Sequence, residues 1–439
     1  MSSRREFLGS IASAAALPLA AQASWNASWH EIARELASTR HDSPLHAAAD
    51  EDFWSRVQQA FTVDRNIINL NNGGVSPSPQ VVQEAQKRHL DFSNSTPSST
   101  ALWQILEPRK ESVRERLARQ WGVDKEEIAI TRNASESLQI CQLGFDLARG
   151  DEVITTTQDY PRMITTFKQR ERREGIVLKQ VKLPIPAEDQ DGIVRIFQQA
   201  ITSKTRLLLI SHVINITGQI LPVKAIVAMA RQRNIPVIVD GAHAFAHLDY
   251  KLSDLGCDYY GVSLHKWLHA PHGTGLLYVR RDKIKGLWPM MAADAKQADD
   301  IRKFEEIGTH PAAGFLAIAE ALTFYEAIGP ARKEARLRYL RDLWARRLLS
   351  HPSGRVRLHT SLDPESSCGI GTVQINGIDS AALIQFLGMR RILVTNIKHD
   401  EFEGMRITPS VYTTIDEIER FCEAVEEALD KGVPAVGSK

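Results

Sequence analysis

From residue 66 to about Val279, short unbroken apolar runs alternate with stretches of helical periodicity. EIAIT, DEVITTT, GIVLKQV, TRLLLIS, PVIVD, DYYGVS and GLLYV read as strands, and the segments between them as helices. Strands without an exposed polar face must be covered on both sides, so the pattern predicts an α/β unit with a mainly parallel sheet. Around AGFLAIAEALTFYEAIGPARKEARLRYLRDLWARRLL the period becomes helical, and Gly329 with Pro330 marks a break between two helices. Beyond it, GTVQI and RILVT alternate with the amphipathic IDEIERFCEAVEEAL, the pattern of a smaller α+β domain. The expected division is a helical lead-in over 24–65, a large domain over 66–325 and a small one over 326–439.

The first residues follow a different rule. In MSSRREFLGSIASAAALPLAAQA, the pair Arg4 and Arg5 precedes an apolar run to Ala20, then small residues at Ala21 and Ala23. This is the pattern of a twin-arginine export signal cut after Ala23. The run is too short, and too interrupted by Pro18, for a span of about 20 apolar residues. The expectation is a periplasmic protein, exported folded, with no membrane anchor after cleavage. Because this route carries proteins already folded around a cofactor, it also hints at a prosthetic group.

Composition adds little. The 439 residues are 43% hydrophobic and 24% charged, ordinary for a folded chain, and 54 basic against 53 acidic residues leave a formal charge of +1. No overall field favours nucleic acid. Four well-separated cysteines, Cys141, Cys257, Cys368 and Cys422, lack metal-type spacing and are expected to be reduced core residues.

Candidate chemistry lies where strands end, since ligands of open α/β sheets sit beyond the carboxyl ends of the strands. PVIVD ends at Asp240, and DYYGVS runs into Lys266 in LHK. A strand-end lysine beside a strand-end carboxylate points to pyridoxal 5′-phosphate: the amine forms a Schiff base with the aldehyde, and the carboxylate keeps the ring nitrogen protonated. A cap opening the GAH loop is the other reading of Asp240. Phosphate needs donors, and the turn entering the helix after EIAI offers the N–H groups of Ala134 and Ser135 with the Ser135 hydroxyl. Asn133 and Glu136 also fit an ordinary capping box there.

Together SLHKWLHAPHGTGLLYV, DGAHAFAHLD, NLNNGGVSPSP and FEEIGTHP resemble the class V aminotransferases of fold type I, nearest the isopenicillin N epimerase-like group, over about residues 65–415. The resemblance implies Lys266 as the Schiff-base lysine and Asp240 at the ring nitrogen. It implies His243 near the ring oxygen, Ser263 and His265 at the phosphate, Tyr160 stacked on the ring and Asn215 as a further cofactor contact. Thr309 would reach the phosphate from a second subunit, which implies a homodimer with shared sites. Arg406 in EGMRITPS would grip a substrate carboxylate, and Asn72 with Gly73 would form a loop closing over the substrate.

Desulfurases of this family place a nucleophilic cysteine shortly before that arginine. Here the stretch is VTNIKHDEFEGMR, without cysteine, and Cys368 lies too early. The expected function is a PLP-dependent aminotransferase-like enzyme acting on an amino acid or a derived substrate. An epimerase, racemase or lyase of the same fold is the alternative. A remoter one is an exported metal-dependent hydrolase using His265, His269 and His272 with Asp240 and His243, and a cofactor-binding relative without catalysis is the third.

Overall fold

The computed structural model describes residues 33–39, 41, 43–95 and 97–433; the export-signal reading falls outside them. All seven apolar runs form strands of one sheet: β1 Ile128–Thr131, β2 Glu152–Thr156, β3 Val177–Val181, β4 Thr205–Ser211, β5 Val237–Asp240, β6 Tyr259–Ser263 and β7 Gly275–Val279. Their order is β1-β7-β6-β5-β4-β2-β3. Neighbours pair in parallel except at β7, which is antiparallel to both β1 and β6. The exception has a local cause. Residues 264–274 are too short to hold a crossover helix, so the chain must fold back on β6.

Burial follows the hydrophobic pattern. Every residue of β1, β2, β5, β6 and β7 is buried, whereas β3, at the edge, shows intermediate or exposed positions throughout and carries Lys179 and Gln180. Polar side chains on an edge strand deter pairing with another chain. Two hydrophobic clusters cover the faces, one around Trp121, Phe245 and Trp267, the other around Leu138, Phe167 and Leu277.

Helix Pro330–Leu349 starts with proline after Gly329, as the break predicts, and leads into the small lobe. There β8 Val356–Leu358, β9 Gly371–Ile375, β10 Thr395–His399 and β11 Phe402–Ile407 form an antiparallel sheet of order β10-β11-β9-β8. Its core gathers Trp344, Phe386, Met405 and Phe421. Ile68 and Leu70 join this core, and Ile68–Asn69 pairs in parallel with Ile392–Leu393. The NLNNGG stretch therefore runs from the small lobe toward the large one.

Candidate active site

The carboxyl ends of β1, β4, β5 and β6 open on one crevice, a cavity of about 210 Å³. Nine of the residues expected at a site line it: Ala134, Ser135 and Tyr160, then Asn215, Asp240 and His243, then Ser263, His265 and Lys266. They come from distant parts of the chain, and the parallel sheet is what aligns them.

The sharp turn after β5 needs its glycine. A Cβ on Gly241 would lie 1.8 Å from Cε1 of Tyr260, and that ring is fixed by bonds from its hydroxyl to His212 Nδ1 (2.8 Å) and Tyr250 Oη (2.6 Å). Close approach brings the Ala242 N–H to within 3.0 Å of the Asp240 carboxylate, which accepts from it. Burial pushes the Asp240 carboxyl up to about 6, the Ala242 N–H and the Lys266 charge opposing it.

Lys266 is half-buried, and its Nζ lies 3.0 Å from His243 Nε2. Desolvation lowers the amine to about 8; Asp240 opposes this and the Arg406 charge adds to it. His243 is held well below the usual histidine range, first by burial and then by the cations Lys266 and Arg406. A neutral imidazole therefore faces the lysine.

Helix Ala134–Gly144 points its N-terminus into the cavity. Asn133 caps it by accepting from the Glu136 N–H at 2.9 Å, but the Glu136 carboxylate accepts from the Arg132 N–H at 2.6 Å instead of from Asn133, so only half of the expected capping box forms. Ser263 Oγ accepts from the Ala134 N–H at 2.9 Å, which leaves the hydroxyl hydrogen to be donated elsewhere. His265 Nδ1 lies 3.2 Å from the Thr274 carbonyl, so Nδ1 carries the proton. Burial first, then the Lys266 charge, lower this ring to about 4, and an anion beside it would draw it toward the protonated form, a donor at both nitrogens.

Arg406, on β11, is 6% exposed and reaches over from the small lobe. Its Nη1 donates to the Asn215 carbonyl at 2.9 Å and its Nη2 to Asn71 Oδ1 at 3.3 Å. Burial lowers its pKa to about 10. Its Nε and the Asn215 Oδ1 are buried with no hydrogen-bond partner among the described residues. Leaving such groups unpaired costs about 1–3 kcal/mol each, so they are suited to a polar ligand.

Pyridoxal 5′-phosphate fits this donor set. The helix N-terminus, Ser263 and His265 suit a phosphate, Asp240 a protonated ring nitrogen, and Lys266 the aldehyde carbon. Tyr160, 41% exposed, stands at the mouth of the same cavity.

Three expected residues are off the cavity lining: Arg406, which meets it through the Asn215 carbonyl, and two that lie elsewhere. Asn72 does not line the cavity. Its amide donates to the carbonyls of Asn69 (2.8 Å) and Thr408 (3.0 Å), and its Oδ1 accepts from Tyr412 Oη (2.5 Å). It shapes the turn, and Gly74 two residues on is what reaches the cavity. Thr309 sits in a separate surface pocket with Trp103, Glu107 and Arg302.

The histidine cluster required by a metal site does not form. His269 is turned into the core against Phe61 and Phe324, at 5.4 and 6.4 Å between ring centroids. Among the described residues no group of three or more His, Cys, Asp or Glu is placed to hold a metal ion. All four cysteines are free and buried.

The sequence reading missed Asp159. Its buried carboxylate accepts from Thr155 Oγ1 (2.6 Å), from the N–H and hydroxyl of Thr156 (2.7 and 2.9 Å), and from the N–H and hydroxyl of Ser211 (2.8 and 2.6 Å). It ties the ends of β2 and β4 together and holds Ser211 in the cavity wall. The available signal was a lone carboxylate directly before Tyr160.

Comparison with known proteins identifies the family. The class-V aminotransferase family model matches residues 68–421. The chain is 31% identical over 400 residues to isopenicillin N epimerase of Streptomyces clavuligerus, covering 85% of this chain and 98% of that protein. It is 25% identical over 390 residues to a probable cysteine desulfurase of Vibrio cholerae, covering 83% and 94%. Among solved structures, a C-DES mutant with glycine covalently linked to the PLP cofactor superposes with a TM-score of 0.75 at 24% identity, covering 84% of this chain and 99% of that one. With the family model spanning most of its length and the strand-end lysine and carboxylate sharing one cavity, this chain belongs to the class V aminotransferases.

Proposed function

We propose that the chain is a PLP-dependent enzyme that removes the α-proton of an amino acid or an amino-acid-derived substrate, with aminotransfer as its reaction. The observation that carries this reading is Lys266 and Asp240 on the walls of one small cavity, with a helix N-terminus beside them. Pyridoxal 5′-phosphate, the family's cofactor, supplies when bound a protonated ring that draws electrons from the substrate and acidifies its Cα–H.

The protein's residues divide the remaining work. Asp240 holds the ring-nitrogen proton in place, since an adjacent carboxylate favours the cation. The Ser135 N–H and hydroxyl, His265, and the Ser263 hydroxyl that the Ala134 N–H orients hold the phosphate. Arg406 takes the substrate carboxylate through its two-pronged guanidinium. Lys266 Nζ, already lowered toward neutrality, accepts the α-proton and carries it to its next acceptor. Tyr160 limits water at the mouth.

Epimerisation is the second reading, favoured by the 31% identity to an isopenicillin N epimerase along nearly the whole of that protein. The two outcomes share their first half. They differ in where the proton returns: to the opposite face of Cα for epimerisation, and away from Cα, with release of a keto acid, for aminotransfer.

Incubating the PLP-loaded protein with pools of amino acids in deuterated water, while following keto acid, ammonia and Cα deuterium together, tests both. Keto acid without free ammonia marks aminotransfer, keto acid with ammonia marks elimination, and deuterium at an inverted Cα without keto acid marks epimerisation. A loaded protein that produces none of these with any member of the pools has some other activity.

We extend the proposal to the cell: a homodimer in the periplasm, exported folded by the twin-arginine route, with Thr309 serving the partner's phosphate site. Replacing Arg4 and Arg5 by lysine is expected to retain the precursor in the cytoplasm, and undiminished export would refute that address.

A further inference from the structure

The stretch VTNIKHDEFEGMR, where related desulfurases carry a reactive cysteine, is occupied in this chain by the tight hairpin of β10 and β11. Lys398 pairs with Glu403 and His399 with Phe402, so Asp400 and Glu401 form its tip. The tip is not free. Glu401 accepts from Thr157 Oγ1 at 2.6 Å through one carboxylate oxygen and from Gln158 Nε2 at 3.2 Å through the other. His399 Nε2 donates to the Thr157 carbonyl at 3.0 Å, and its Nδ1 accepts from the Glu401 N–H at 3.2 Å, which fixes both the tautomer and the turn.

Those partners sit where they matter. Thr157 and Gln158 directly follow β2 and precede Asp159 and Tyr160, the carboxylate that ties two strand ends and the aromatic at the cavity mouth. The other end of the hairpin carries Arg406, whose Nη1 reaches the Asn215 carbonyl. The hairpin thus meets the large lobe at its tip and again at Arg406, where the neighbouring strand is also bonded across, Thr372 Oγ1 donating to the Ile216 carbonyl at 2.6 Å. A guanidinium binds a carboxylate in two-pronged fashion only if its distance from the reacting atoms is fixed.

From this geometry we infer that Glu401 is a positioning residue: it pins the Arg406 hairpin to the Tyr160 loop and so sets the separation of the carboxylate grip from the cofactor site. The inference deepens the functional reading above and rests on it for its substrate consequence. The pinning itself stands on contacts independent of any reaction.

The experiment uses the full, PLP-loaded chain and three variants: Glu401→Ala, Glu401→Gln, which keeps an acceptor and the shape, and Thr157→Val, which removes one donor and spares the hairpin. The first measurement is amide hydrogen exchange. Glu401→Ala and Thr157→Val are expected to speed exchange in 395–407 and 157–161 by about tenfold, the effect of losing one charge-assisted hydrogen bond. Helix Ala134–Gly144 and β5 should be unaffected, and Glu401→Gln should restore most of the protection. The second measurement is binding of 2-methylalanine, an amino acid without an α-proton, read from the absorbance of the bound cofactor. Its Kd is expected to rise about tenfold in Glu401→Ala at unchanged cofactor content.

Exchange unchanged in Glu401→Ala overturns the inference, as does faster exchange with an unaltered Kd. If the parent protein holds the cofactor but gives no response to 2-methylalanine at any concentration, while exchange still depends on Glu401, the pin stands and the amino-acid reading of the site falls.

Discussion

Lys266 Nζ and His243 Nε2 face each other at 3.0 Å inside a pocket that also holds the Asp240 carboxylate. Burial, more than this pairing, sets the lysine's chemistry. A buried neutral imidazole offers no countercharge, and desolvation brings the amine to about 8 against an ordinary value of 10.5. At pH 7 about one amine in ten is then unprotonated, compared with about one in three thousand for a solvated lysine.

Reloading of the cofactor-stripped protein should show this directly. The neutral amine is the form that attacks an aldehyde, so the rate of pyridoxal phosphate uptake is expected to rise with pH and level off above a midpoint near 8. Stopped-flow absorbance at a series of pH values measures it. A midpoint above 10 would mean that the amine is solvated, and Lys266→Ala should abolish the borohydride-fixed adduct altogether.

Arg406 should affect substrate and leave cofactor alone. It reaches over from β11 to bond the Asn215 carbonyl, while the proposed phosphate donors lie on β6, just after it and on the helix Ala134–Gly144. Arg406→Ala is expected to raise KM for a carboxylate substrate by about 10–100-fold, the range of a lost charge-assisted bond. Cofactor content and visible spectrum should be retained. With the corresponding amino-acid amide, which offers no carboxylate, parent and variant should differ little; equal losses on acid and amide would contradict the assignment.

Much of this site was legible because two signals coincide: apolar runs that end abruptly in polar residues mark strand ends, and a parallel sheet brings strand ends together. Asp240 and Lys266 were found in that way, Ser263 through the family resemblance, and the strands emerged as apolar runs, five of them buried at every position while the edge strand β3 is not. Asn72 was misplaced for a physical reason. An NNGG turn is equally suited to face a ligand or to satisfy its own backbone, and only the tertiary contacts with Thr408 and Tyr412 decide between them. His269 misled through spacing: one helical turn from His265 on paper, but its φ of 59° breaks any helix there and sends the ring into the core. Asp159 and Glu401 were invisible because their roles exist only across long separations in sequence, 52 residues to Ser211 and 244 to Thr157.

Gly241 is what lets the Asp240 turn exist. At Gly241 a methyl group would fall 1.8 Å from Tyr260 Cε1 and 2.5 Å from its hydroxyl oxygen, and the ring cannot retreat without breaking its bonds to His212 and Tyr250. Gly241→Ala is therefore expected to destabilise by about 1–3 kcal/mol or more through overpacking, seen as a drop in the thermal unfolding midpoint. Since the shift also moves the Ala242 N–H away from Asp240, cofactor content should fall in the protein that does fold. The cause can be isolated by removing the ring. In a Tyr260→Ala background the added methyl has space, so Gly241→Ala should cost much less there than in the parent, a departure from additivity expected of groups in contact. Additive losses would show that the glycine is required for its own backbone, with the tyrosine playing no part.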